Sequence, residues 1–472
     1  MKNNNLKSYR RTLMMFVLLL GAFLTLLTET LINNALPSIM KAFDISQATA
    51  QWLSTAYLLV AGLMVPISAW VFKRYSVRST VLVMLSIFLL GSIIGYVAND
   101  FWWLVVARIV QAVAAGSLMP LVQNVTLLLY PAEKRGAALG MTGIVVSFGP
   151  ALGPTLSGWI VDNAGWRDLF GILIPLTVAL VIASFFFVKD VTQTSQTQLD
   201  ARSLIYSTLG FGTLLYGLSD IGNAGKITVT TLLALLVGVV IVAMFVYRQL
   251  HTDNPLIELR VFSSHRFSLT TILSSISNIA LLSVELVMPL YLQNVRGDSA
   301  LISGLIMLPG ALLMGVLSPI TGRLYDRFGI YHLSLVGYSI LILGTIPMMF
   351  FTHATALWLV MVAYAIRVVG IAFVMMPTFT AGINALPDKL SVYGNAAGST
   401  VRQIAGSLGT AVVMLTISLA TSVSTGHGAN HLAALTNGYQ AAFVISLIMA
   451  VIGLVLSFGL YQRKAVVTSK KN

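Results

Sequence analysis

Apolar stretches of about 20 residues recur along the whole chain and alternate with short polar connections. Each stretch is long enough to cross a hydrocarbon core of about 30 Å as a helix. Most stretches are apolar on every face, as expected for helices surrounded by lipid or by other helices. The pattern predicts fourteen transmembrane helices, at about 13–34, 51–71, 80–98, 103–128, 137–160, 169–188, 204–220, 229–247, 268–291, 302–321, 331–350, 357–379, 393–419 and 438–461.

The connections between these stretches are too short to hold a separate soluble domain; the longest are about 189–203 and 248–267. Composition agrees, because 57% of the residues are hydrophobic and only 9% are charged, against about 25% charged in ordinary soluble proteins. The fold class predicted is therefore an all-α polytopic membrane protein.

The net charge of +13 could suggest a nucleic-acid partner, but the positions of the basic residues argue against one. If the N-terminus is cytoplasmic, internal loops and tails hold 21 of the 28 Lys and Arg residues. This is the positive-inside bias of membrane proteins. It predicts both termini in the cytoplasm and an even number of helices. The basic, then apolar N-terminus is expected to be a retained first helix, because its apolar run is too long for a signal peptide.

Several kinds of chemistry have no support in this sequence. The chain has no cysteine, which excludes disulfides and thiolate sites. His427 and His431 are four residues apart but have no carboxylate nearby, so we expect no metal site. We find no nucleophile–base set and no nucleotide-binding motif. We therefore expect neither an enzyme nor a cofactor.

Two acids, Glu29 and Glu285, lie inside predicted membrane helices, whereas Asp220 lies at the edge of one. A carboxylate at the bilayer centre costs about 2.5–3.5 kcal/mol on insertion scales, so such residues usually have a function. The alternative is a protonated structural role, hydrogen-bonded to neighbours such as Asn33, Asn278 or Gln123.

The chain also contains an internal repeat. The stretch from Pro66 resembles the stretch from Pro319, 253 residues later, and Pro120 matches Pro377 at an offset of 257. The two glutamates are 256 residues apart. We therefore predict two pseudo-symmetric six-helix bundles in 1–188 and 268–472. The linker 189–267 would contain two extra transmembrane helices at about 204–220 and 229–247. Parallel halves related by an axis along the membrane normal are a known transporter plan, with sites near the midplane between the halves.

At this point the chain resembles the major facilitator superfamily, and within it the fourteen-helix drug:proton antiporters. The strongest match is the stretch 143–159, which is similar to the antiporter motif of the fifth helix. Its glycines permit close helix approach and its prolines permit a bend; ordinary small-residue packing is the alternative. The motif residues are Gly143, Gly149, Pro150, Gly153, Pro154 and Gly158.

Arg108 and Gln111 lie in a stretch similar to the fourth-helix motif of this family, although Ala112 and Ala114 replace glycines of the pattern. The resemblance links Arg108 to proton coupling. A structural ion pair or a cap on backbone carbonyls is an equally good explanation for a membrane-embedded arginine.

A loop of the second half also fits a superfamily motif, through Gly322, Asp326, Arg327 and Gly329. The matching loop of the first half keeps Arg74 but has Lys73 where the motif has Asp. If this motif locks a conformation by charge pairing, we expect the second copy to do so, and we expect Lys73 to Arg78 to form a solvated basic loop.

The first helix carries Glu29 and Asn33 and is similar to the first-helix motif of the family, which has Asp at the place of Thr28. One residue turns a helix by about 100°, so Glu29 could face a different partner. Tyr57 either lines a cavity or anchors the helix at the membrane surface.

The resemblance implies a proton-coupled antiporter that exports small hydrophobic, often cationic compounds by alternating access. It also implies a monomeric multi-pass protein in the lipid bilayer of a bacterial plasma membrane, driven by the proton gradient. The alternatives are export of an endogenous lipid, amino acid or antibiotic on the same fold, and a receptor that does not transport.

Overall fold

The computed structural model describes residues 8–192, 200–224, 226–252 and 255–461, except for the side chains at 8–10, 33–34, 47–48, 150–151, 154–155, 162, 222–224 and 300. These ranges contain fourteen helices of 15 to 36 residues and no strand. The helices are α1 Ser8–Phe43, α2 Trp52–Arg74, α3 Val77–Val97, α4 Phe101–Leu129, α5 Arg135–Asn163, α6 Leu173–Phe187, α7 Ala201–Ala224, α8 Val229–His251, α9 His265–Asn294, α10 Ala300–Phe328, α11 Ile330–Thr345, α12 Leu357–Asn384, α13 Ser391–Gly426 and α14 His431–Ser457. Short helices at Gln47–Ala50 and Asp168–Gly171, and 3₁₀ turns at Ala132–Lys134, Leu259–Ser263, Pro347–Phe350, Asp388–Leu390 and Phe458–Leu460, join them.

Each predicted segment corresponds to one of these helices, so the all-helical fold is confirmed. Several helices extend beyond the apolar stretch that predicted them; the first runs over Ser8–Phe43 instead of 13–34. Within the described residues, twelve helices are long and apolar enough to cross a membrane. The helices α5 and α7 are not among the twelve.

The helix packing repeats after eight helices. In the first half, α1 packs on α4, α5 and α6, while α4 also packs on α2 and α3, and α3 on α6. In the second half, α9 packs on α12, α13 and α14, while α12 also packs on α10 and α11, and α11 on α14. Every contact of the first list has its counterpart in the second. The repeat seen in the sequence is therefore also a repeat of packing.

Each half has its own apolar core. One cluster of buried residues lies between Met14 and Val191, and a second lies between Ala280 and Ala450. A smaller cluster combines both halves with the inserted helices, through residues such as Leu139, Phe211 and Phe379. The two halves can therefore stay folded while the contacts between them change.

Two seams join the halves, and they are also related by the repeat: α5 packs on α10, and α13 packs on α2. The first seam is a direct and extensive contact. The second is covered by α7, which packs on both α2 and α13. The ring of Tyr216 on α7 stacks on Trp52 of α2, with centroids 6.2 Å apart. The inserted helix thus contacts both halves.

An ion pair fixes α8 to the start of α7. Arg248 Nε and Nη2 donate to the carboxylate of Asp200 at 2.7 and 2.9 Å. The Arg248 guanidinium and the Ser203 hydroxyl lower the pKa of Asp200 to about 2. The carboxylate therefore stays charged at neutral pH, and the pair is lost only as the pH falls towards that value.

Candidate functional site

The two membrane-embedded glutamates lie on α1 and α9, the first helices of the two halves. Both side chains are partly exposed within the bundle. They are close enough for the charge of Glu29 to act on Glu285. In the part of the chain that the structure describes, neither carboxylate forms an ion pair. The bundle thus brings together two acids, one from each half.

Arg108 is the basic residue beside Glu29, and their charges also interact. Its side chain is fully buried. Nε donates to the carbonyl of Leu53 at 3.2 Å, and Nη1 donates to the carbonyl of Thr28 at 3.2 Å. Arg108 therefore connects α4 to α2 and to the turn of α1 that carries Glu29. The sequence left open whether Arg108 takes part in proton coupling or caps backbone carbonyls. In the structure, Arg108 caps two carbonyls and also lies near Glu29.

Gln111 and Tyr57 complete this network. Gln111 accepts from Arg108 Nη1 at 3.1 Å and donates to Ser92 on α3 at 3.0 Å. The ring of Tyr57 lies 3.9 Å from the Arg108 guanidinium carbon, and its hydroxyl donates to the carbonyl of Thr25 at 2.7 Å. Tyr57 is only 1% exposed and so lies inside the bundle instead of at a membrane surface.

The second half has a similar, though not identical, arrangement that the sequence analysis missed. Arg367 on α12 is fully buried and donates from Nη2 to the carbonyl of Ala280 on α9 at 3.0 Å and to Ser446 at 2.6 Å. Its charge acts on Tyr364, which also interacts with Glu285. The signal was present, since Arg367 follows Arg108 by 259 residues. Each half therefore holds an acid, a tyrosine and a carbonyl-capping arginine.

The helix that carries the antiporter-like motif, α5, has two packing faces. Near its start, Gly140 and Gly143 lie against Ser318 of α10 in the other half. Further along, Gly149 and Gly153 lie against Leu26 and Thr30 of α1. These two α1 residues flank Glu29 on the chain. The later motif glycines therefore set the position of the α1 segment that holds this acid.

Three predicted residues, Asn33, Pro150 and Pro154, have side chains outside the described part of the structure. Gly158 is described, and a Cβ added there would meet no atom within 4 Å. Close packing of small residues thus explains Gly143, Gly149 and Gly153 but not Gly158.

The halves meet at one end of the bundle, which we call the basic end and which carries residues 73–78, 130–135, 322–330 and 385–391. Here Asp326 of α10 accepts from the backbone N–H groups of Gly136 and Ala137, both at 2.9 Å. Backbone N–H groups in the first turn of a helix have no partner within that helix, and a negative charge is favoured there. The sequence analysis expected the second copy of this motif to lock a conformation if the lock is made by charge pairing. The bond is instead between a carboxylate and a helix N-terminus.

Of the other residues of this motif, Gly322 serves the same contact. Gly322 faces Gly136, and a Cβ on either one would overlap the backbone of the partner helix. Gly329 ends α10 with a φ of 75°, a conformation that favours glycine. Arg327 is exposed, and its guanidinium lies over the ring of Phe328.

The sequence predicted that the matching loop of the first half, Lys73 to Arg78, is a solvated basic loop. In the structure, two of its basic side chains contact other helices. Lys73 Nζ lies 3.1 Å from the centre of the Tyr393 ring on α13, in the other half. Arg78 donates to the carbonyl of Phe185 at 2.7 Å. Arg74 lies partly exposed at the end of α2. Asp326 and Lys73 therefore occupy equivalent places on the two seams, with opposite charges and different partners.

Two further contacts close this end. Arg135 donates to Asp388 at 3.2 Å and to Asn384 at 3.3 Å. Deeper in the bundle, Asn395 of α13 donates to Asn124 of α4 at 2.7 Å, and both side chains are buried. Because Asp388 is 86% exposed, its ion pair contributes little. The buried amide pair and the Asp326 bonds hold the halves more strongly.

Replacing Asp326 with Ala should let the basic end open. Hydrogen bonds to charged groups are each worth about 1.5–3 kcal/mol, and the partial exposure of Asp326 favours the lower value. Because the chain has no cysteine, spin labels on Glu133→Cys and Lys389→Cys, exposed sites on opposite halves, can report the distance by double electron–electron resonance. We expect a longer distance population in Asp326→Ala.

Asp190→Ala is the matched control, because Asp190 accepts from the backbone N–H of Arg78 at 2.9 Å within the first half. It should leave the distance distribution unchanged. An unchanged distribution in Asp326→Ala would show that these bonds do not hold the halves together.

Comparisons with known proteins agree with this architecture. The family model described as Major Facilitator Superfamily matches residues 18–410. The chain is 43% identical to the MFS-type transporter YcnB of Bacillus subtilis, over 96% of each chain. It is 38% identical to the lincomycin resistance protein LmrB of Listeria monocytogenes, over 95% of this chain and 96% of that protein. Multidrug resistance protein Stp of Mycobacterium tuberculosis is 27% identical, over 84% of this chain and 74% of Stp. Among solved structures, the proton:xylose symporter XylE matches with a TM-score of 0.64 and 15% identity, over 97% of this chain and all of that one.

Proposed function

Because the chain belongs to the major facilitator superfamily, we propose that it is a proton-coupled antiporter that exports small hydrophobic or cationic compounds. The family and the relatives identify a multi-pass plasma-membrane transporter, not an enzyme. The observation that carries the finer proposal is the placement of Glu29 and Glu285 inside the bundle, on the first helices of the two halves, without an ion pair among the described residues. The names of LmrB and Stp, which refer to lincomycin and multidrug resistance, support antibiotic-like substrates.

The two acids allow protons and cations to compete for one site. Two negative charges in a poorly hydrated space repel each other, and either a proton or a cationic substrate relieves this repulsion. Exchange follows if the site cannot hold both at once. The protein then needs no cofactor, because the proton gradient supplies the free energy.

The number of protons determines which gradient drives export. Exchange of one monovalent cation for one proton moves no net charge, so only the pH difference drives it, at about 1.4 kcal/mol per pH unit. A second proton adds the membrane potential, at about 2.3 kcal/mol per 100 mV. The presence of two acids supports the second arrangement.

We also propose fourteen crossings, with both termini and the basic end in the cytoplasm. At 29 residues, α5 is about 43 Å long and packs between α1 and α10. At 24 residues, α7 packs between α2 and α13. The contacts at the basic end would then close the site towards the cytoplasm. Alternating access requires these contacts to break while each half keeps its own core, and a single chain suffices for this.

The proposal can be tested with the purified protein in liposomes. An imposed pH gradient, acidic on the side opposite the basic end, should drive uphill movement of the fluorescent cation rhodamine 123. Addition of the dye to vesicles without a gradient should move protons in the opposite direction. Proton carriers should abolish dye accumulation. Accumulation that proceeds equally with and without a pH gradient would contradict proton coupling.

A further inference from the structure

A third buried arginine, Arg402 on α13, has no part in the networks around Arg108 and Arg367. Its side chain is 9% exposed. The guanidinium carbon lies 4.0 Å from the centre of the Phe379 ring on α12. The only hydrogen bond from its guanidinium to a described residue runs from Nη2 to Ser399, on the same helix, at 2.9 Å.

The face of α13 that carries Arg402 points towards the other half. Asn395, Ser399 and Arg402 are spaced by four and three residues and so lie on one side of the helix. Asn395 on this face donates to Asn124 and to the carbonyl of Pro120, both on α4. Arg402 lies seven residues, or about two helical turns, further along α13 from the basic end.

Arg402 differs from the other two arginines in how its nitrogens are used. Arg108 and Arg367 each donate to a backbone carbonyl of the first helix of their half, and each has one further nitrogen enclosed without a partner. Arg402 Nε and Nη1 bond to no described residue, yet they are not among the enclosed nitrogens. They therefore keep some accessible surface.

No acid neutralises Arg402 within the described residues. No carboxylate lies within 4.0 Å of it, and neither glutamate contributes to its electrostatic environment. A buried, unpaired cation is costly, and a guanidinium offers a fork of donors that matches a carboxylate. The Phe379 ring and the Nη2 bond to Ser399 leave Nε and Nη1 without a partner among the described residues.

We propose that Arg402 binds the carboxylate of amphipathic substrates, so that the site accepts zwitterions as well as cations. This inference rests on the proposed function, since it divides one transport site into two parts. The glutamates receive the cationic group, and Arg402 with Phe379 receives the anionic end of the same molecule. Simple cations use only the first part.

A matched pair of dyes separates these two parts. Rhodamine 110 carries a free carboxylate, and rhodamine 123 is its methyl ester. Fluorescence anisotropy with the purified protein gives the Kd of each dye. Arg402→Gln should weaken rhodamine 110 binding roughly ten- to hundredfold, the range for a hydrogen bond to a charged group. Rhodamine 123 binding should change less than about threefold.

Two variants control for loss of charge and for misfolding. Arg202→Gln removes an exposed arginine and should change neither Kd. Arg402→Lys keeps the charge but loses the fork of donors. It should therefore weaken rhodamine 110 binding less than Arg402→Gln does. Lysine also provides the test if the Gln variant does not yield a monodisperse protein.

Equal weakening of both dyes, or of neither, would overturn the role of Arg402. So would a wild-type protein that binds rhodamine 123 but not rhodamine 110. Under this proposal, proton-driven transport of rhodamine 123 should not depend on Arg402. A failure of the antiport proposal would therefore appear in the wild type with that dye and stay separate from these outcomes.

Discussion

Glu29→Gln and Glu285→Gln should each reduce proton-driven transport of rhodamine 123 at least tenfold, while the protein still reaches the membrane. Glutamine keeps the size and hydrogen-bonding groups of glutamate but cannot exchange a proton. Because the two acids occupy equivalent helices of the two halves, removal of either one should remove the repulsion that, in the proposal, makes proton and cation compete. The residual transport should no longer respond to the membrane potential. Initial rates in liposomes, with the pH gradient and the potential imposed separately, measure both effects.

Asp220→Asn is the matched control for these variants. Asp220 accepts a hydrogen bond from Thr231 between the two inserted helices, away from both glutamates along the chain. The loss of the Asp220 charge should leave the response of transport to the pH gradient intact. If both glutamate variants still respond to the gradient like the wild type, the acids are structural and the proton enters elsewhere.

The helices and the repeat could be predicted because they depend on composition along the chain. Twenty apolar residues are enough to define a crossing, and an offset of 256 residues between Glu29 and Glu285 is visible without coordinates. The offset placed both acids on the first helix of a half, where the structure has them. Proximity between the acids then followed from the symmetry of the halves.

The direction of side chains could not be predicted, because one residue turns a helix by about 100°. The displacement of the acid from 28 to 29 therefore left its partner undefined. The structure shows that the carbonyl of Thr28, not its side chain, receives Arg108. Arg367 and Arg402 lay in predicted helices, but only their contacts distinguish a carbonyl-capping arginine from one that keeps some accessible surface.

The contact at the basic end shows a further limit. Charged side chains in the motif at 322–329 suggested a partner of opposite charge. The true partner of Asp326 is a pair of backbone N–H groups at the start of α5. Helix termini have such free donors whatever their sequence. A list of charged residues therefore cannot reveal them, and only the relative position of two helices does.

Gly322→Ala should impair transport at least tenfold by preventing closure of the basic end. A Cβ at 322 would overlap the carbonyl of Gly136 and lie close to the backbone N of Ala137. Both are backbone atoms of α5, so no rotamer change can relieve the overlap. The α5–α10 seam must separate, and the bonds of Asp326 to the same turn are lost with it. Because each half has its own core, the protein should still fold.

Gly158→Ala, in the antiporter-like motif of α5, is the control because a Cβ there meets nothing within 4 Å. Spin labels at Glu133→Cys and Lys389→Cys should show a longer distance in Gly322→Ala and the wild-type distance in Gly158→Ala, with transport measured on the same preparations. Wild-type transport by Gly322→Ala would show that close contact of α5 and α10 is not needed in the cycle. If Gly322→Ala loses transport but keeps the wild-type distance, the loss does not come from separation of α5 and α10. The predicted overlap of the added Cβ with the α5 backbone would then not explain it.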